Sequence, residues 1–211
     1  SKAAPGTVER KVGDFYASLL DEARVESLGR KPLEPDLQRI VAIKSRDDVH
    51  AYLEHKANRG GATPIRLWVS VDEKDANQYI VSISQGGLGL PDRDFYFNEE
   101  PRSVDIRKKY IAHIARLLSL AGIEDAEAKA NAVFEFEKSI AKTHWTRAET
   151  RDRDKAFNPA NITELASQAP GFPWKRFLAA TGLDVRPVVI VRQPSAIAGT
   201  ASERPRATRP A

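Results

Sequence analysis

Residues 82–97 read SISQGGLGLPDRDFYF, and this stretch leaves the chain little choice of path. Gly86, Gly87 and Gly89 permit a positive φ or a close approach of backbone. Pro91 locks its own φ and turns Leu90 away from helix. Arg93 stands between Asp92 and Asp94, where its guanidinium can fork onto a carboxylate and onto backbone carbonyls. Phe95, Tyr96 and Phe97 carry too much apolar area to remain in water together. The expectation is a structural corner, closing a strand and buried against helices. A phosphate cradle is a poor fit, because neither G-x-G-x-x-G nor G-x-x-x-x-G-K-[ST] occurs.

Strand character precedes the corner. Leu67, Val69 and Val71 alternate with Trp68 and Ser70, and after a polar turn comes Tyr79-Ile80-Val81-Ser82-Ile83. Two such runs predict a β-hairpin. A lone hairpin is marginal in water, so it must pack on helices or on a third strand from elsewhere. Val188–Val191 is a short β-branched run that reads as an edge strand.

The rest is helical in period. The spacing predicts a helix over 8–24, with Val12, Phe15, Tyr16, Leu19 and Leu20 on one face and Gly29 as the cap of the turn that follows. Residues 31–35 read as a loop before a helix over 36–43. Ser45 and Asp48 form an N-cap pair for a helix to about Asn58, stopped by Gly60-Gly61. Long helices are expected over 101–121 and 125–143 as an antiparallel pair. Asn161 with Glu164 opens a short helix to Ala169, and another spans 174–181. After Pro194 periodicity is lost. The expected division is a frayed start at 1–7, a helical domain with a small hairpin over 8–195, and a disordered basic tail at 196–211. The fold class is mainly α.

Composition narrows the function. The hydrophobic share of 41% and charged share of 29% are ordinary for a soluble globular chain. No apolar run reaches the length of a membrane helix. With no cysteine there is no disulfide, thiolate metal site or Cys nucleophile. The net charge of +4 lies in one place: five arginines and a single glutamate follow Val185, so the body is neutral. A nucleic-acid binder would carry its excess on the folded body. The chain holds no methionine, which predicts that it is processed or is a piece of something longer.

Several segments, in one order, carry a resemblance. Residues 88–97, LGLPDRDFYF, resemble the L-G-L-P-x-R-D-Y-Y of the neprilysin (neutral endopeptidase) family of zinc metallopeptidases, which includes the bacterial oligopeptidase O type. Before it, Phe15-Tyr16-Ala17-Ser18-Leu19-Leu20-Asp21-Glu22 and Gly29-Arg30-Lys31-Pro32-Leu33 are similar to the family's early helix and turn, with Leu19 where many members have Cys and Leu20 where they have Met. After it, Tyr110 to Leu118 with His113, and Glu135 to Ala141, follow in family order. Arg151-Asp152-Arg153-Asp154-Lys155-Ala156-Phe157-Asn158 resembles R-D-P-x-x-x-Y-N, with Arg153 in place of Pro and Phe157 in place of Tyr. Phe172-Pro173-Trp174 and Gln193-Pro194-Ser195 resemble the later F-D-W and Q-P-S. The resemblance spans about Val12 to Ser195. Its motif positions are Gly89, Pro91, Arg93, Asp94, Tyr96, Arg151, Asp152 and Asn158, expected to serve structure.

The resemblance implies zinc-dependent cleavage of oligopeptides by the full-length family, outside the cytoplasm. The family holds zinc with a His-Glu-x-x-His helix and a downstream Glu. Here the histidines are His50, His55, His113 and His144, and no two are four apart. No catalytic or metal-ligating residue is therefore assigned, no cofactor is expected in this chain, and the chain alone is expected to be inactive. His144, beside Trp145 and near Glu149 and Asp152, reads as a cap or surface residue. Glu135 and Glu137 fall on different helix faces and make no acid–base pair. Ser139 and Ser195 lack a nucleophile-elbow context. The sequence reads as an internal piece of the family's helical portion, its last residues explained by a frameshift or early stop. A stand-alone helical binding module, or a partner of a separate zinc-bearing chain, is the competing class. A remnant should expose an apolar face and self-associate through it. No nucleic acid and no membrane segment are expected.

Overall fold

The computed structural model describes residues 2–184 and 187–202, and divides into Ser1–Lys44 and Ser45–Ala211. The first unit is helical. Helix α1 (Val8–Leu20) starts at Thr7, whose side chain accepts from the Arg10 amide. The single helix expected over 8–24 is instead broken at Asp21, whose carboxylate accepts from the Arg24 amide and so starts α2 (Glu22–Leu28). A short polar side chain that can satisfy free N–H groups favours a new helix start over continuation. Gly29 closes α2 with φ 52°. The loop expected over 31–35 is a 3-10 turn, Lys31–Leu33, running directly into α3 (Glu34–Val41) with Pro35 in its first turn. None of the described residues of this unit is fully buried.

The second unit begins with α4 (Arg46–Asn58), opened by the expected reciprocal cap of Ser45 and Asp48. The hairpin forms as read: β1 (Ile65–Val71) pairs antiparallel with β2 (Tyr79–Gln85), Ile65 opposite Gln85 and Val71 opposite Tyr79. The corner that follows adds a short helix, α5 (Asp94–Phe97), which the sequence reading did not contain. Then come α6 (Pro101–Leu120) and α7 (Ala126–Thr143), packed on each other. Strand β3 (Asn158–Asn161) leads into α8 (Ile162–Gln168), capped reciprocally by Asn161 and Glu164, and α9 (Trp174–Ala180) follows. The chain then makes β4 (Val188–Val191) and α10 (Pro194–Ser202).

Two expectations about the C-terminal part are corrected. The run Val188–Val191 is an inner strand, not an edge: the sheet order is β1-β2-β4-β3, with β4 parallel to β2 and antiparallel to β3. It is the third strand the hairpin required. The stretch after Pro194 is not without structure up to Ser202, because α10 buries Ala196, Ile197 and Ala201. Its small residues hide helical period from a search for large apolar side chains. The rest of the expected tail, 203–211, lies outside the described residues.

Side chains alternate across the sheet. One face brings Ile65, Val81, Ile83, Ala160, Val189 and Val191 onto Leu165, Trp174, Phe177 and Ile197, the larger core. Each large side chain buried there contributes about 1.5–3 kcal/mol relative to exposure. The other face carries Arg66, Trp68, Ser82, Ser84 and Arg192. A second core gathers Leu90, Tyr96, Phe134 and Ala141, with Phe95, Phe97, Ile106 and Tyr110 against it. The described part is mainly α with one small mixed sheet.

Candidate functional site

The corner is held by one carboxylate. Glu137 on α7 accepts from the Tyr96 hydroxyl at 2.7 Å and from the Tyr110 hydroxyl at 2.8 Å. The Tyr96 oxygen in turn accepts from the Leu90 amide at 3.1 Å. Burial, reinforced by Glu137, raises both phenols well above their ordinary range, so they remain donors. Gly89 passes so close to this cluster that a β-carbon there would lie 1.8 Å from the Tyr110 hydroxyl oxygen. Gly87 has φ 82° and lies against Pro64. The three aromatics are drawn inward as expected, with Tyr96 stacked on Phe134 at 5.5 Å between centroids.

Arg93 reaches Asp94 at 3.4 Å. The backbone-carbonyl partners expected for it are absent among the described residues. Its guanidinium instead lies over the Phe97 ring at 5.4 Å, and its Nε is buried without a partner. Asp92 accepts from the Asp94 amide at 2.9 Å, and Pro91 is exposed at the turn.

His144 is a cap, the first of the two alternatives expected for it. It terminates α7 but is 7% exposed, buried rather than on the surface. Burial, and then the Arg93 charge, lower its pKa to about 4, against a hydrogen bond to the Gly86 backbone. It is neutral near pH 7, and its Nε2 has no partner among the described residues. The sequence marked the residue but not its environment.

The later motif segments tie loops to the sheet. Asn158 donates to the Lys155 carbonyl at 2.8 Å and the Val191 carbonyl at 3.1 Å. Asp152 accepts from the Lys155 amide at 3.0 Å, while Arg151 is exposed. The Glu149 carboxylate is held down to about 2 by Lys155 first and then Thr146. Gln193 accepts from the Gln85 amide at 3.2 Å, and Gln85 exchanges two hydrogen bonds with the Trp145 backbone. Ser195 accepts from the Trp145 indole at 2.7 Å, a structural use of that hydroxyl.

A groove of about 1250 Å³ runs along the polar face of the sheet, lined by Arg66, Trp68, Ser84, Gly86, His144, Arg151 and Arg192 among others. Arg192 is fixed by Glu73 at 2.6 Å and by the Ser82 hydroxyl at 3.2 Å. The sequence reading missed this groove, whose walls come from segments far apart in the chain. Among the described residues no three His, Asp or Glu side chains are grouped to hold a metal ion.

The profile of the N-terminal part of peptidase family M13 matches residues 1–203. The chain belongs to peptidase family M13. The neprilysin-family resemblance is thereby borne out, and the match reaches past Ser195, where the sequence reading had it end. Human endothelin-converting enzyme 1 is 28% identical over 187 residues, which cover 84% of this chain and 24% of that relative. Zinc metalloprotease Zmp1 of Mycobacterium tuberculosis, in complex with an inhibitor, superposes with a TM-score of 0.85 at 32% identity, over 95% of this chain and 31% of that one. PepO from Lactobacillus rhamnosis shares the fold, with a TM-score of 0.68 at 17% identity, over 84% of this chain and 29% of that one. This M13 chain spans about a quarter of the length of the curated relatives it matches and about a third of the solved structures. Among the described residues, none of its helices is long and apolar enough to cross a membrane.

Proposed function

We propose that this chain is the N-terminal helical portion of a zinc-dependent endopeptidase that cleaves oligopeptides. Its part is to cover the zinc-bearing lobe and restrict entry to peptide-sized substrates. The reading is carried by the family match over residues 1–203 together with the likeness to Zmp1, a zinc metalloprotease. In this reading zinc is held by polypeptide outside this chain. Gly89, Pro91, Arg93, Asp94, Tyr96, Arg151, Asp152 and Asn158 act in holding the frame, not in chemistry. An extracytoplasmic location follows from the family reading.

A second reading, a module that pairs with a separate zinc-bearing chain, is favoured by α1, whose Val12, Phe15, Tyr16, Leu19 and Leu20 are all at least 61% exposed. The same face supports self-association.

The test is hydrolysis of an internally quenched oligopeptide. With zinc, the chain alone is expected to give no turnover. Mixed with a Zmp1 fragment lacking the matching N-terminal third, it is expected to restore turnover. Cleavage by the chain alone overturns the proposal. Tight binding to that fragment without restored cleavage supports the pairing module instead.

A further inference from the structure

We propose that the outer edge of β1 and the groove beside it bind an extended, acidic peptide segment, which joins the sheet as an added strand. This goes beyond the peptidase reading and needs no zinc.

Strand β1 ends the sheet. Its backbone phase follows from the hairpin turn. The Asp72 amide donates to the Gln78 carbonyl, and antiparallel pairs alternate. Ser70, Trp68 and Arg66 therefore turn their backbone groups towards β2. Val71, Val69 and Leu67 turn theirs outward. At the far end the outward Ile65 carbonyl accepts from the Thr63 hydroxyl, which marks where free edge begins. Val69 is 52% exposed, and no other strand meets this edge among the described residues. A long open edge with apolar side chains is a template for another strand.

Charge selects the occupant. The guanidiniums of Arg66, Arg151 and Arg153 line the groove and have no ion pair or hydrogen bond among the described residues. Of the two acids lining it, Glu73 is taken by Arg192. Unmatched guanidiniums are answered best by carboxylates. The volume of about 1250 Å³ exceeds the roughly 300–1,000 Å³ usual for a small ligand. A nucleic acid would supply anions, but not the amide and carbonyl ladder that a strand edge requires.

The probe is a fluorescein-labelled peptide of alternating Glu and Val, with a Lys–Val counterpart, read by anisotropy at low and high salt. The acidic peptide is expected to bind, and the basic one to bind at least about tenfold more weakly. The double variant Arg66→Glu with Arg153→Glu should lose about tenfold. Val69→Pro removes an outward N–H without touching the ladder to β2, and should abolish binding. Hydrogen exchange at Leu67, Val69 and Val71 should slow when the acidic peptide is added. Equal binding of the basic peptide, or unchanged exchange at those amides, overturns the proposal. Concentration-dependent protection of them without peptide assigns the edge to a second copy and also overturns it. The arginine variant changes only exposed side chains, and decides the matter if Val69→Pro fails to fold.

Discussion

Gly89 tolerates substitution least. A β-carbon there meets the Tyr110 hydroxyl oxygen at 1.8 Å, with the ring carbon behind it at 2.7 Å. Gly89→Ala is expected to cost about 1–3 kcal/mol in urea unfolding. Tyr110→Phe in the same chain should recover part of that, since it removes the nearer atom only; full additivity of the two changes would argue against the contact. His144 supplies a pH dependence. Its folded pKa lies near 4 because burial, and then Arg93, disfavour its charged form. An unfolded histidine titrates near 6.5. As pH falls below 6.5 the unfolded chain takes the proton first, so the contribution present above 6.5 is lost progressively down to about 4. Each pH unit in that window costs about 1.4 kcal/mol. His144→Gln should flatten the difference between urea midpoints at pH 7 and pH 5, and an unchanged difference would clear His144 of the role. The corner was legible because Gly, Pro and clustered aromatics act through local rules. The setting of His144 was not, because Arg93 and Gly86, which act on its charge, arrive from another segment.

Among the elements, those with a local start signal were readable. Ser45 with Asp48 and Asn161 with Glu164 both form complete capping boxes. Ser45→Ala is expected to lower stability by about 1 kcal/mol, measured by thermal unfolding. The break at Asp21 is masked by the apolar stripe, whose helical spacing runs up to Leu20 and gives no sign that the cap of α2 follows at once. Strand β3 had no signal at all: Asn158-Pro159-Ala160-Asn161 is poor in β-formers, and only pairing with β4 makes it a strand. Pro159 suits such a place, since β3 is the outer strand. The inner position of β4 was written in its uninterrupted Val-Val-Ile-Val, the mark of a strand buried on both faces. Amide exchange should therefore be slowest in β2 and β4 and faster in β1 and β3. Equal protection of all four strands would contradict the observed order.

At the scale of the molecule, the mainly α class was legible from period alone, whereas the sheet's strand order was not, because it joins segments that no local pattern links. The apolar face of α1 was visible as a stripe, and its exposure is the large-scale oddity of the chain. Monomers seldom show such a face. Sedimentation velocity is expected to reveal concentration-dependent association, reduced by Phe15→Ser with Leu19→Ser; a single monomer at all concentrations would refute this. The parallel pairing of β2 with β4 has a different consequence. Val81 meets Val189, so the hairpin waits for a strand translated ~100 residues later. At roughly 5–20 residues per second, that delay is on the order of 5–20 seconds. For that time the edge of β2 that faces β4 has no partner strand on the ribosome, although β1 already pairs with its other edge. Nascent chains arrested just before Val188 should therefore be the species that chaperones hold longest, and release should follow within a few residues of Val191.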